Sequence, residues 1–264
     1  MEFLSAARTA ARSSWRLREG VPDLRSQTQI VNNTTSVCAD TAIEEARQGL
    51  ALGAEATIVD LRNWPLGERN VETFRRVIRA VPGDWMFCLY RMDTVFGEDD
   101  EKRMETLMMT AEAGAAYVDV MADLFDAQPT QISYDERAVA RQREVIDEIH
   151  RRGSKVIMSA HNPTAFLKAD AVVAILKAQE MRGADVVKLV ARCDSAEELE
   201  EARRTFERLN VETHVPWIFL GSGKSGHAQR FLSAQSGCRM EFARIAPDEE
   251  GVQPLIPEFV SRRG

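Results

Sequence analysis

Residues 155–191, KVIMSAHNPTAFLKADAVVAILKAQEMRGADVVKLVA, carry a strand, a helix and a second strand in that order. The runs 155–161 and 185–191 are short, mostly apolar and bounded by polar residues, which is the length and composition of buried strands. Between them, Lys168–Arg182 reads as a helix that closes at Gly183, a residue suited to the turn that ends a helix. Near-continuous apolar runs, rather than strict alternation, suit a parallel sheet covered on both faces.

The same unit recurs on either side. Further strands are expected at Thr34–Ala39, Ala56–Arg62, Trp85–Arg91, Tyr117–Ala122, Pro216–Gly221 and Met240–Ile245. Helices are expected at Thr41–Leu52 behind the cap Asp40, at Asp99–Glu112 before Gly114 and at Tyr134–Arg152 before Gly153. Ala196–Leu209 follows Ser195 with Glu198 three residues on, a capping box. Shorter helices are expected at Val71–Val81, His227–Ser236 and Gln253–Val260. Eight strands, each followed by a helix, predict an α/β fold of the (β/α)8 (TIM) barrel type. The main rival is a doubly wound open sheet, but no GxGxxG follows the first strand. No linker divides the chain, so residues 29–264 read as a single barrel domain. Residues 1–28 read as a short N-terminal extension, a helix and an extended segment closing the barrel bottom.

Composition narrows the function. The 264 residues are 44% apolar and 28% charged, an ordinary globular balance that excludes a disordered chain. There are 34 Lys and Arg against 41 Asp and Glu, a net charge of −7, which argues against nucleic acid as a partner. No apolar run is long enough to span a membrane, and the N-terminal segment, with Arg8, Arg12 and Arg16, lacks the apolar core of a secretory signal. Cys38, Cys88, Cys193 and Cys238 lie far apart, as in a reduced cytoplasmic chain without a structural zinc site.

In such barrels the chemistry stands at the C-terminal ends of the strands. Polar residues there are Asp60 and Arg62, Arg91, His161, Lys188 within its strand, and Ser222, Lys224 and Arg230 after the seventh. A lysine inside an apolar strand is costly to bury as a cation. Desolvation that lowers its pKa makes it a nucleophile for Schiff-base chemistry; the alternatives are a partner carboxylate or a side chain reaching the rim. His161 at a strand end can move protons near neutral pH, or it is a hydrogen-bonded loop histidine. Arg62, Arg91 and Arg230 are each weak signals, but together they imply a small anionic substrate. His150 reads as solvated and His214 and His227 as exposed loop residues. Met104, Met108 and Met109 read as helix packing, and Glu197–Glu201 as a solvated face. GSGKSG at 221–226 is a second candidate, a phosphate cradle after strand seven.

With these residues in place, residues 30–245 resemble the type I 3-dehydroquinate dehydratases. GAEATIVDLRNW resembles the family's second-strand acid and arginine, CLYR its third-strand arginine, and VIMSAHN the stretch with its catalytic histidine. GADVVKLVARCDSAEEL resembles the segment with its Schiff-base lysine, and PWIFLGSGKSGHAQRFLSAQSGCRMEFA the one with its carboxylate-binding arginine. The resemblance implies that Lys188 forms an imine with the substrate's C3 ketone. It implies that His161 removes the C2 proton, assists imine formation and hydrolysis, and helps water leave. Arg230 would pair with the carboxylate, while Asp60, Arg62 and Arg91 contact ring hydroxyls or balance charge. The reaction implied is 3-dehydroquinate to 3-dehydroshikimate on a small anionic cyclic keto acid, with no metal or dissociable cofactor, in a cytoplasmic homodimer.

Three departures from the family stand out. Asp60 replaces a glutamate. Val95 occupies the place of the glutamate that partners the histidine, with Asp93 and Glu98 as candidate replacements. In the loop after strand eight, IAPDEEGVQP keeps Pro247 but not the family's serine or glycine–glutamine, unless Gln253 substitutes. Asp248, Glu249 and Glu250 would bring negative charge towards an anionic substrate unless that loop turns outward. Two other readings follow: an enzyme of the same fold acting on a different cyclic keto acid, and a ligand-binding homologue without catalysis.

Overall fold

The computed structural model describes residues 28–247 and 251–262. Eight parallel strands occur among them: β1 (Gln29–Asn33), β2 (Ala56–Asp60), β3 (Asp84–Cys88), β4 (Tyr117–Met121), β5 (Lys155–Asn162), β6 (Val186–Arg192), β7 (Trp217–Ser222) and β8 (Met240–Ala243). The ladder runs β7-β6-β5-β4-β3-β2-β1-β8, so the last strand pairs with the first. At the remaining seam the Arg239 amide donates to the Trp217 carbonyl (2.9 Å). This is the nearly closed (β/α)8 barrel that the sequence predicts. The expected N-terminal extension, apart from Thr28, and the acidic residues at 248–250 lie outside the described residues.

Eight α-helices among the described residues follow the strands: α1 (Ala39–Ala51), α2 (Val71–Ala80), α3 (Asp100–Ala113), α4 (Glu136–Arg151), α5 (Ala169–Met181), α6 (Ala196–Glu212), α7 (Gly226–Gln235) and α8 (Ile256–Val260). Side chains of Asn70, Asp99, Asp135 and Ser195 accept from the third residue on and so cap α2, α3, α4 and α6. Each such cap satisfies an otherwise orphaned amide and contributes about 1 kcal/mol. In the box at α6, Glu198 reaches back to the amide of Asp194 rather than Ser195 (2.6 Å). Between strands and helices, Phe206 stacks on Trp217 at 5.6 Å, and Phe74 bridges Trp64 and Phe87.

The first strand corrects the sequence reading. Thr34–Ala39 is not a strand: Thr34 bonds the Ile58 carbonyl through both its amide and its hydroxyl, and Cys38 is the cap of α1. Helix α1 therefore starts two residues before the expected Thr41. The β-branched run "TTSV" misled because β1 itself is polar at three of five positions. Those polar groups are used: Gln29 bonds Asp84 (2.9 Å) and the Asn32 amide bonds the Glu45 carbonyl (2.8 Å). The expected third strand also stops early, at Cys88, leaving Tyr90 and Arg91 in the loop above it. Arg62 lies in a 3-10 turn (Leu61–Asn63) capped by Asp60. The last helix begins at Ile256, so Gln253 lies in the loop that precedes it.

Candidate active site

At the C-terminal end of the barrel a cavity of about 710 Å³ opens, a volume suited to a small ligand. Its floor comes from alternate strand positions: Asn33, Ile58, Asp60, Cys88, His161, Lys188, Val190, Leu220 and Phe242, which share the inward face. Asp60, Arg62, Arg91, His161, Lys188, Arg230 and Gln253 all line it, so the fold brings these seven candidates to one mouth, while Ser222 and Lys224 do not line it.

Lys188 is buried at 5% exposure, and its amine is not an isolated charge. Nζ donates to Asp119 Oδ2 at 2.9 Å and to the Tyr90 hydroxyl at 3.3 Å, and sits 4.7 Å from the centre of the Phe242 ring. The Tyr90 hydroxyl in turn donates to Asp119 Oδ2 (3.1 Å), and Ser159 donates to Oδ1. The carboxylate that the alternative reading of Lys188 required is therefore present, buried beside the amine. Asp119 is fully buried, and a buried charge needs such a shell of donors.

His161 stands at the end of β5, and its ring meets Tyr90 edge-on at 5.0 Å. Both its backbone amide and its Nδ1 lie 3.0 Å from Gln131 Oε1. An amide N–H can bond only an acceptor, so the backbone contact identifies that atom as the carbonyl oxygen. Nδ1 must then carry the proton, which leaves Nε2 with a free lone pair. Burial, joined by the charges of Lys188 and Arg230, lowers the ring's pKa from 6.5 to about 3. The imidazole is thus neutral, and the residue lines the cavity. Its partner is none of the residues considered from sequence. Asp93 is buried in a two-pronged pair with Arg69 (2.9 and 3.1 Å), Glu98 is exposed beside Arg91, and Val95 is an exposed loop residue. Gln131 itself holds a left-handed backbone (φ 51°), a strained state that persists only where the surroundings impose it. Arg182 helps to do so by bonding the carbonyls of Ala122 and Ser133 on either side of this loop.

The arginines differ in what they have left to offer. Arg91 is committed to Asp123 and Asp100, both at 2.7 Å, and so balances charge at the rim. Arg62 pairs with Asp60 at 3.1 Å and remains partly open; burial raises the Asp60 pKa despite that pair. Arg230, at 5% exposure, is fixed through Nε on the Gly221 carbonyl (3.1 Å). Glu241 behind it is fully buried, and burial pushes its carboxyl well above the usual carboxylate range against the pull of Arg230. Gln253 accepts from the Asn33 amide at 2.8 Å, which ties the loop before α8 to the end of β1. Asp119, Tyr90, Gln131, Asp123 and Arg244 are site residues that sequence reading did not single out. The cradle suggested by GSGKSG is filled by the chain itself, since the Lys224 amide donates to Asp194 (2.8 Å) and the Gly221 amide to Gln229. Among the described residues no group of three or more His, Cys, Asp or Glu could hold a metal ion, and no helix is long and apolar enough to cross a membrane.

A parallel barrel with a buried amine and a neutral imidazole facing one cavity defines a class, the barrel enzymes that work on small molecules at the strand ends. The relatives narrow it. The type I 3-dehydroquinase family model matches residues 68–256, and the chain belongs to that family, whose members are lyases that remove water from a cyclic keto acid. No curated protein matches. The type I 3-dehydroquinate dehydratase of Clostridium difficile, solved with covalent modified comenic acid, superposes with a TM-score of 0.76 at 14% identity, over 90% of this chain and 91% of that one. The 3-dehydroquinate dehydratase of Geobacillus kaustophilus gives 0.75 at 15% identity, over 89% and 90%. That of Enterococcus faecalis gives 0.68 at 16%, over 83% and 90%. At these identities the superpositions show the fold.

Proposed function

We propose that the protein converts 3-dehydroquinate to 3-dehydroshikimate through an imine on Lys188. The observation that carries this reading is the amine of Lys188, held by Asp119 at 2.9 Å, in the same cavity as a neutral His161 whose Nε2 lone pair is free. Lys188 adds to the C3 ketone, and loss of water leaves a protonated imine. That cation stabilises the electron pair released when His161 Nε2 takes the C2 proton. The enamine then expels the C1 hydroxyl, to which His161 returns the proton, and water releases the conjugated enone from the lysine. Covalent attachment divides one difficult elimination into easier steps. Arg230 pairs with the substrate carboxylate, Asp60 and Arg62 contact ring hydroxyls, Arg91 holds the charge balance, and Gln253 closes the far side.

The test is borohydride trapping. The protein is incubated with 3-dehydroquinate, reduced, and analysed by intact mass and peptide mapping, alongside a steady-state assay. An adduct on Lys188 with turnover is expected. Folded protein that gives neither refutes the reading for this substrate, and other cyclic keto acids are then screened by the same trap.

A further inference from the structure

The geometry points to Tyr90 as a catalytic residue, the acid–base group that carries protons between Lys188 and the substrate's ketone oxygen as the imine forms and breaks. The inference deepens the imine reading above and depends on it.

Imine formation has a fixed proton account. A protonated Nζ begins with three protons and keeps one in the protonated imine, while the other two leave with the ketone oxygen as water. A group that shuttles protons must therefore reach both Nζ and the oxygen bonded to the carbon that Nζ attacks. His161, expected to assist imine formation and hydrolysis, has no proton to give from its Nε2 side in the resting enzyme. Its Nδ1 proton is committed to Gln131 and its Nε2 carries none, with a pKa of about 3. Asp119 is turned into the wall, where it accepts from Ser159, Tyr90 and Lys188. Tyr90 has the required arrangement. Its hydroxyl oxygen accepts from Nζ at 3.3 Å, its own proton points to Asp119, and the residue lines the cavity. Burial holds the phenol protonated, so it is a donor at every working pH.

The step balances without an outside reactant. Nζ gives up a proton towards Asp119 and its lone pair forms the C–N bond. The C=O π pair moves onto oxygen, which takes the Tyr90 proton. The phenolate then regains a proton from the carbinolamine nitrogen. As the nitrogen lone pair closes the C=N bond, the C–O bond breaks and the proton parked at Asp119 passes through Tyr90 to the departing oxygen. Oxygen leaves as water, and Tyr90 and Asp119 end as they began. Hydrolysis of the product imine runs the same path in reverse.

The test is Tyr90→Phe in the full chain. The ring packing against His161 is kept, and Asp119 retains Lys188 and Ser159 as donors, so no buried acceptor is orphaned and the variant is expected to fold. Two rates are measured with 3-dehydroquinate: borohydride-trapped adduct against time by intact mass, and exchange of the C3 ketone oxygen with ¹⁸O-water. Both are expected to fall about 100-fold, the lower range for loss of a positioned acid–base group. Trapping and exchange at the wild-type rate overturn the role of Tyr90, whatever happens to overall turnover, and leave the imine reading standing. A wild-type protein that forms no adduct and exchanges no oxygen overturns both.

Discussion

The neutral state of His161 has a consequence for stability that can be measured apart from catalysis. In the fold the ring's pKa is about 3, against 6.5 when exposed. The folded pKa is depressed, so the contribution to stability is intact above 6.5 and is lost as pH falls below it. At pH 5 the unfolded ring is protonated by about 30 to 1, and the folded ring is still neutral. The unfolded state gains the free energy of that protonation, about 2 kcal/mol. The ring faces a cavity that water enters, and allowing for screening the expected loss is about 1–2 kcal/mol between pH 8 and pH 5. Any folded pKa below about 4 gives nearly the same figure, because the loss at pH 5 is set by the unfolded chain. The assay is urea unfolding of wild type and His161→Gln at pH 8, 7, 6 and 5. Other titrations cancel in the difference, including that of His150, whose pKa is raised by its hydrogen bond to Asp185 and whose contribution has the opposite sign. The wild type should lose about 1–2 kcal/mol more than the variant. Parallel curves would refute the reasoning, since they require the folded ring to take up a proton as readily as the unfolded one.

Other perturbations separate the roles of neighbouring residues. Gln131→Glu places a carboxylate against Nδ1 and should raise the His161 pKa by about 1–3 units; the acidic limb of kcat/KM then moves to higher pH, and an unmoved limb counts against the Gln131 contact. Lys188→Ala should abolish turnover and adduct together, and should also destabilise the fold by about 3 kcal/mol, because Asp119 stays buried without its counter-ion; calorimetry checks the second part. Arg230→Met should raise KM about 10- to 100-fold with a smaller effect on kcat, as expected for a charged hydrogen bond to substrate; an unchanged KM would remove Arg230 from the carboxylate site. Arg69→Met should lower stability by about 3–5 kcal/mol by stranding Asp93, read as a lower urea midpoint.

Much of this was legible in the residues, for identifiable reasons. Seven strands announced themselves because a strand buried on both faces must be apolar, and Lys188 stood out against that background. Asp119 interrupts β4 in the same way, inside YVDVM, and a buried cation in one strand is a reason to look for a buried anion in another. That pairing could have been drawn. Tyr90 and Gln131 could not, because their roles come from closure of the barrel. Tyr90 reads as one more aromatic at a strand end until β3 and β6 are seen facing across the mouth. Gln131 sits in a loop held by contacts from α4 and from Arg182 just after α5, at a backbone angle that local propensity disfavours. β1 was misplaced because its polar residues bond to side chains and backbone of other elements, and no local pattern reports that.

The composition of β1 bears on how the chain is made. In the finished barrel Gln29 pairs with Met240, so one edge of the first strand finds its partner only after a further 211 residues (240 − 29) are synthesised. At ordinary rates of translation that is about 10–40 s. Through that interval an aliphatic, regular strand would offer an open template to any other nascent chain. QIVNN has two aliphatic residues flanked by amides, a poor template for such pairing. The polarity that conceals this strand from pattern reading is suited to the wait between making the first stave of the barrel and the last.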